Sequence, residues 1–232
     1  MEEILRSGLT ELGVAFPEEA PERLRRYYEL LSQRNQVMNL TAIEGEEPTA
    51  RLHFLDSAAV LTQVPLSGKT VCDVGSGAGF PGLVLKALCP DMSLTLLDSL
   101  QKRVAFQQEA AEAMGFSDVR YIAGRAEEQT ELRASFDVVT SRAVARLRIL
   151  TELCLPLVKK GGVFVAMKGP EPEEEMVEAA RCIGMLGGGD TELVKYTVPG
   201  TDAVHSLVII RKVSSTPPRY PRRFALIKKQ PL

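Results

Sequence analysis

The chain has 232 residues, 45% of them apolar and 25% charged, which suits one substantial soluble α/β domain with a modest extension. No apolar run approaches the ~18 residues of a membrane span, and the acidic opening Met1-Glu2-Glu3 is unlike a secretory signal. The cysteines Cys72, Cys89, Cys154 and Cys182 are scattered, with no C-x-x-C pair and only two histidines in the chain. A disulfide framework or a bound metal is therefore not expected, and the cytoplasm is the expected compartment. Net charge is −2, but its distribution is uneven. From Arg211 to the end there are seven Lys or Arg and no acid, which leaves 21 basic against 30 acidic residues, or −9, in the rest. A basic tail on an acidic body can hold a polyanion through phosphate contacts, or can simply be a solvated terminus.

In chain order, residues 1–66 read as a helical extension. Pro21 opens one helix with Leu24, Tyr27, Tyr28 and Leu31 at helical spacing. Pro48 opens another, with Leu52, Leu55 and Ala59 on it, and there His53, Asp56 and Ser57 share a face. After Pro65-Leu66-Ser67-Gly68 the texture changes, and residues 67–213 read as alternating strands and helices. Strands are predicted over 70–74, 94–97, 119–123, 136–140 and 163–167, with helices over 101–114 and 147–158. Such alternation predicts a mostly parallel sheet with right-handed crossovers. Two further strands, 192–198 and 206–213, follow the punctuating Gly187-Gly188-Gly189 as an antiparallel edge pair. The tail 214–232, with Pro217, Pro218 and Pro221, is predicted to be extended or disordered when free.

The first strand runs into a glycine loop, Val71-Cys72-Asp73-Val74-Gly75-Ser76-Gly77-Ala78-Gly79. Glycines permit a tight turn and let a ligand approach the backbone. Gly77-Ala78-Gly79-Phe80-Pro81-Gly82 formally satisfies the dinucleotide fingerprint G-x-G-x-x-G. That match starts late, however, because the turn begins at Gly75 and Pro81 already suits a first helical turn. S-adenosyl-L-methionine (SAM) is therefore favoured over a nicotinamide cofactor. The second strand ends in Asp98, 23 positions after Gly75, where a carboxylate can accept ribose hydroxyls or can serve as an ordinary helix cap. The third strand leads to Gly124-Arg125-Ala126-Glu127, which suits an adenine border, although Glu127 also reads as a surface acid. After strands four and five come Arg142 and Lys168. Gly75, Asp98, Ala126, Arg142 and Lys168 all fall at carboxyl ends of parallel strands, the rim where such sheets bind ligands.

An Asp/Asn-Pro-Pro-aromatic loop, common in amine methylation, is replaced by Ser141-Arg142-Ala143-Val144, and no cysteine is well placed as a nucleophile for pyrimidine C5. An acceptor with an available lone pair, such as guanine N7, fits better, since alignment alone can contribute about 7–11 kcal/mol.

Asn39-Leu40-Thr41-Ala42-Ile43 and His53-Phe54-Leu55-Asp56-Ser57, followed in order by the glycine loop with Phe80-Pro81-Gly82 and by Leu97-Asp98-Ser99-Leu100-Gln101-Lys102-Arg103, make a combination that resembles the RsmG (GidB) family. Gly124-Arg125-Ala126-Glu127, Ser141-Arg142-Ala143-Val144-Ala145 and Met167-Lys168-Gly169 continue it, so that the resemblance covers about residues 35–213. It implies a Rossmann-like class I SAM-dependent methyltransferase with a mostly parallel seven-stranded sheet and an N-terminal helical extension. It also implies methylation of a guanine N7 in the 530 loop of 16S rRNA, with 16S rRNA or the small ribosomal subunit as partner; a monomer is expected, although the sequence itself does not fix the oligomeric state. Cofactor contacts are implied for Gly75, Phe80, Ala126, Glu127 and Arg142, to which the loop reading adds Gly77 and Asp98. Placement makes Arg142 and Lys168 catalytic candidates, and His53, Arg142, Lys168, Arg219, Arg222 and Arg223 RNA-binding candidates. From Phe224 onward the tail departs from the family pattern. The rivals are a methyltransferase of a small molecule or another RNA, and a nicotinamide-dependent oxidoreductase.

Overall fold

The period-two alternation of the central runs determines the layers. Val71, Leu94, Leu96, Val138, Val165, Leu207 and Ile209 fall on one face of the sheet, and Cys72, Val74, Leu97, Val139, Phe164, Val208 and Ile210 on the other, each set in its own buried cluster. The computed structural model describes residues 1–232. Its strands are β1 (Thr70–Val74), β2 (Ser93–Asp98), β3 (Arg120–Ala123), β4 (Phe136–Arg142), β5 (Val158–Lys168), β6 (Gly188–Thr197) and β7 (Val204–Lys212). They form one sheet in the order β3-β2-β1-β4-β5-β7-β6. The first five strands are mutually parallel, β7 runs antiparallel to both neighbours, and the expected edge pair is present.

The helical extension begins with α1 (Glu2–Glu11) and α2 (Ala20–Met38). It ends in α3 (Glu46–Thr49), which widens into a π-helical stretch over Ala50–Leu55 before α4 (Asp56–Ala58). Leu5, Leu24, Tyr27 and Phe54 share one apolar cluster with Val71, Leu83 and Phe106, so the extension covers a sheet face rather than standing apart from it. On that face lie α5 (Gly82–Leu88) and α6 (Gln101–Ala113). The opposite face is covered by α7 (Leu147–Cys154), α8 (Glu173–Met185) and the short terminal α9 (Phe224–Lys229). The helix expected over 147–158 stops at Cys154, and Pro156 sits in the short 3-10 turn before Val158 opens β5.

The tail departs from the sequence expectation. Tyr220 and Ile227 are buried in the α7–α8 core, and the Arg133 guanidinium binds the Tyr220 and Thr216 carbonyls. Arg222 lies against Glu152, which has no solvent exposure. It donates to the carboxylate through Nε at 2.8 Å and Nη2 at 2.6 Å, and through its backbone N–H at 2.9 Å. The prolines shape a strap and the apolar residues after them anchor it. Because Arg222→Ala strands a fully buried carboxylate, it is expected to cost about 3 kcal/mol of stability in urea unfolding. A loss below about 0.5 kcal/mol would show that the strap is only loosely docked.

Candidate active site

In an open parallel sheet the crevice opens where neighbouring crossovers leave in opposite directions. Here β1 lies between β2 and β4, and that point falls between the ends of β1 and β4. Beyond Val74 the chain turns through Gly75 (φ +70°), Gly77 (φ +58°) and Gly79 (φ +104°), a backbone path that side chains strongly disfavour. At Gly77 an added Cβ would meet nothing nearer than the Gly75 carbonyl at 3.9 Å, so bare backbone faces open space there.

Buried polar groups hold the loop. Asp73, with no solvent exposure, accepts the Gly82 N–H at 2.9 Å and the Thr140 hydroxyl at 3.2 Å, tying the helix that follows the loop back to the strand before it. Burial pushes its carboxyl up to about 7, against the lowering effect of those two donors. From α6, Gln107 donates to the Gly77 carbonyl at 2.7 Å and to Ser76 Oγ at 2.9 Å. From α2, the Tyr27 hydroxyl donates to the Ala78 carbonyl. Neither Tyr27 nor Gln107 was singled out as a loop holder from sequence.

Two clefts flank the end of β4. The first contains Gly75, Asp98, Ala126 and Glu127, closed by Val144 and Phe224. Asp98 accepts the Gly77 N–H and the Leu100 N–H, both at 2.9 Å, so it is a local cap as well as a cleft residue. Burial raises the Glu127 carboxyl. The cleft thus brings together the Gly75 turn, a carboxylate fixed by two backbone N–H groups and the apolar side chains of Val144 and Phe224. Phe80 does not line this cleft. Its ring stacks on His53 at 4.3 Å and lies under the Arg142 guanidinium at 4.9 Å, in an aromatic cluster with Tyr27 and Phe54.

The second cleft, of about 410 Å³, is lined by Arg142, Lys168, His53, Asp56, Glu175 and His205. Its centre is Asp56, 3% exposed. One carboxylate oxygen accepts Arg142 Nη1 at 2.9 Å, and the other accepts Tyr196 Oη at 2.7 Å and His205 Nδ1 at 2.6 Å. Burial alone would push this carboxyl up, but the His205 and Tyr196 hydrogen bonds and the Arg142 charge outweigh it and hold it below the usual range. Lys168 pairs with Glu175 at 2.6 Å and donates to the Ala145 carbonyl at 2.9 Å.

His53, expected on the RNA side, lines the second cleft but is only 8% exposed, and burial followed by the Arg142 charge lowers its pKa to about 3. Arg142 Nη2 lies 3.0 Å from Nδ1. Since a guanidinium only donates, Nδ1 must accept and the ring proton sits on Nε2, 2.7 Å from Thr41 Oγ1. His53 is therefore a neutral wall of the second cleft and a support for Arg142, not a cation for phosphate. Arg222 is likewise committed to Glu152, whereas Arg219 and Arg223 are exposed.

No cysteine lines either cleft. Cys72 and Cys154 are buried, which raises their thiols far above the usual range, so neither supplies a thiolate. No helix is long and apolar enough to cross a membrane, and no group of His, Cys, Asp or Glu is arranged to hold a metal ion.

Comparison with known proteins agrees with this geometry. The profile of the GidB family, rRNA small subunit methyltransferase G, matches residues 20–201. The chain belongs to this family. It is 41% identical to the Clostridium botulinum (strain Loch Maree / Type A3) ribosomal RNA small subunit methyltransferase G, over 99% of this chain and 98% of that one. The Alkaliphilus metalliredigens protein of the same name is 43% identical over the same shares. Among solved structures, a tRNA methyltransferase from Aquifex aeolicus superposes with a TM-score of 0.55 at 14% identity, covering 69% of each chain. An M. jannaschii protein in complex with AdoMet gives 0.51 at 15% identity, covering 62% of this chain and 68% of its own. These likenesses show the class I methyltransferase fold. The protein is a SAM-dependent methyltransferase, and the nicotinamide alternative falls away.

Two outcomes are expected. Gly77→Val places a branched side chain in the open approach to the loop at positive φ, so SAM binding by calorimetry should be lost; unchanged affinity would remove Gly77 from the site. The chain's two histidines should titrate in opposite directions by NMR of the rings. His53 stays neutral down to about pH 3, so its contribution to stability is present above 6.5 and lost as pH falls below that. The Asp56 hydrogen bond raises His205, whose contribution is present below 6.5 and lost as pH rises through its folded value. A pair titrating together near 6.5 would contradict the arrangement.

Proposed function

We propose that the protein methylates N7 of a guanine in the 530 loop of 16S rRNA, acting in the cytoplasm as a monomer on the rRNA or the small subunit. The observation that supports this most is the charge balance of the second cleft. Each of its two strand-end cations, Arg142 and Lys168, is paired with a carboxylate, Asp56 and Glu175 respectively. A paired cation is a poor trap for a bare phosphate. It presents directed N–H donors beside carboxylate acceptors, which suits the edge of a neutral base.

SAM supplies a methyl group on a positively charged sulfur. The chain's task is to hold the acceptor atom in line with it and to keep water away. Guanine N7 has a free lone pair and no proton to lose, so the cleft needs no general base, and its residues offer none well suited. His53 is tied into hydrogen bonds, and Asp56 has both oxygens occupied. The product base carries a positive charge, which the nearby carboxylates are placed to stabilise. Phosphates of the RNA would then be met outside the cleft, where Arg219, Arg223, Lys228 and Lys229 are exposed on the strap. The family membership and the roughly 40% identity to named ribosomal RNA methyltransferases support the same reading.

The deciding experiment is transfer of labelled methyl from SAM to small subunits, or to naked 16S rRNA, from a strain lacking the modification, with the nucleotide mapped by mass spectrometry. Label on guanine N7 in the 530 loop is expected; no transfer to either form would sink the proposal. Arg142→Ala should lower turnover by about tenfold or more. Arg142→Lys should not restore it, because one ammonium cannot reach Asp56, His53 and the Leu52 carbonyl together. Wild-type rates in either variant would remove Arg142 from the acceptor cleft.

A further inference from the structure

The cofactor cleft has one wall supplied by the C-terminal strap rather than by the sheet or the crossover helices. Beyond Ala126 and Glu127 the end of the cleft is closed by Phe224, the first residue of α9. We propose that Phe224 is a cofactor-binding residue, and that its half-buried ring is the apolar wall against which the adenine of SAM packs. The inference rests on the reading of this cleft as the SAM site.

The direction in which the cofactor lies follows from the groups already placed. Gly75 follows β1, Asp98 ends β2 and Gly124 follows β3, and the strand order β3-β2-β1 puts Asp98 between the other two, so an adenosyl ligand that puts its ribose on Asp98 with its amino-acid half at the glycine loop directs its base toward Gly124, Ala126 and Phe224. At that end Glu127 adds a carboxylate to the lining, suited to an exocyclic amine, and Phe224 adds an aromatic side chain. Aromatic rings hold nucleobases in this way whatever else reads the base edge.

The ring is also fixed, which a chance surface aromatic would not be. The Arg125 guanidinium lies 5.4 Å from its centroid. Two residues upstream, Arg222 is tied to the buried carboxylate of Glu152. Three residues downstream, Ile227 is fully buried in the same cluster as Leu150 and Leu153. Anchors on both sides leave Phe224 little freedom, so little entropy is lost when a ligand meets it. The C-terminal segment therefore serves the cofactor as well as any RNA phosphate.

The test is made without RNA on the full-length chain, which contains no tryptophan. By calorimetry, Phe224→Ala should bind SAM about tenfold more weakly, with an equal loss for 5′-methylthioadenosine, which keeps the adenosine and lacks the amino-acid half. Phe224→Tyr should restore most of the affinity. Asp98→Ala serves as the control for the site itself. If Asp98→Ala weakens binding and Phe224→Ala does not, the proposal fails and the cofactor cleft stands. If neither does, the reading of the cleft fails. A second measurement covers a Phe224→Ala variant that does not fold. Phe224→Trp installs a single tryptophan, whose fluorescence should change saturably with S-adenosylhomocysteine and with 5′-methylthioadenosine but not with methionine. Emission that ignores both adenosyl ligands overturns the proposal.

Discussion

A carboxylate taken out of water stays ionised only where cations and donors surround it. Asp56 is such a group, and the three partners that keep it charged arrive from β4 (Arg142), β6 (Tyr196) and β7 (His205). Asp56 itself sits just past the π-helical stretch of the extension. Four chain segments, separated by as many as 149 positions, thus converge on two oxygen atoms. The extension cannot leave the sheet without stranding a charge, and the antiparallel pair at the sheet edge cannot slip without losing its contact with it. Arg142 is the pivot of the arrangement. Its guanidinium binds Asp56 and His53 and lies over the ring of Phe80, whose neighbours in sequence are the glycine loop. The glycine-loop side and the second cleft are in this way tied together by one side chain.

The catalytic demand on such a site is geometric. Where the acceptor already has its lone pair and the donor group is already activated, what the protein contributes is orientation and exclusion of water. That explains why the groups lining both clefts are tied down. Asp73, Gln107 and Tyr27 hold the loop from beneath and from both flanking helices, and Lys168 is spanned between Glu175 and the Ala145 carbonyl. Residues that look like reagents in the sequence act in the structure as struts.

Much of this was legible in the sequence because it is local. The strands β1 to β4 announce themselves as short apolar runs, and their ends carry the glycines and Asp98 that a nucleotide-like ligand needs. β5 begins five residues earlier than its apolar run, because Lys159, Lys160, Gly161 and Gly162 disguise its start, and its pairing with β4 is irregular between Phe136 and Val138. The helical spacing of His53, Asp56 and Ser57 could not say that this segment is turned inward. Its partners, Tyr196 and His205, lie about 140 positions away and share no pattern with it. The strap is hidden in the sequence for a different reason. Prolines and basic residues dominate its composition, while its fold is decided by three apolar side chains, Tyr220, Phe224 and Ile227, and by one arginine that finds a buried acid. The run Phe224-Ala225-Leu226-Ile227 was the available signal.

Asp98 has a consequence of its own. Its carboxylate is already gripped by two backbone N–H groups, one from the glycine loop and one from the start of α6. The side chain has therefore lost its rotational freedom during folding, and two adjacent donors sharpen its remaining lone pairs into fixed directions. If the cofactor lies as proposed, its sugar meets a receptor there that need not rearrange, and a misplaced sugar finds no flexible arm to compensate. The carboxylate works as a ruler: the loop and the helix behind it set the zero, and the ligand is measured against them.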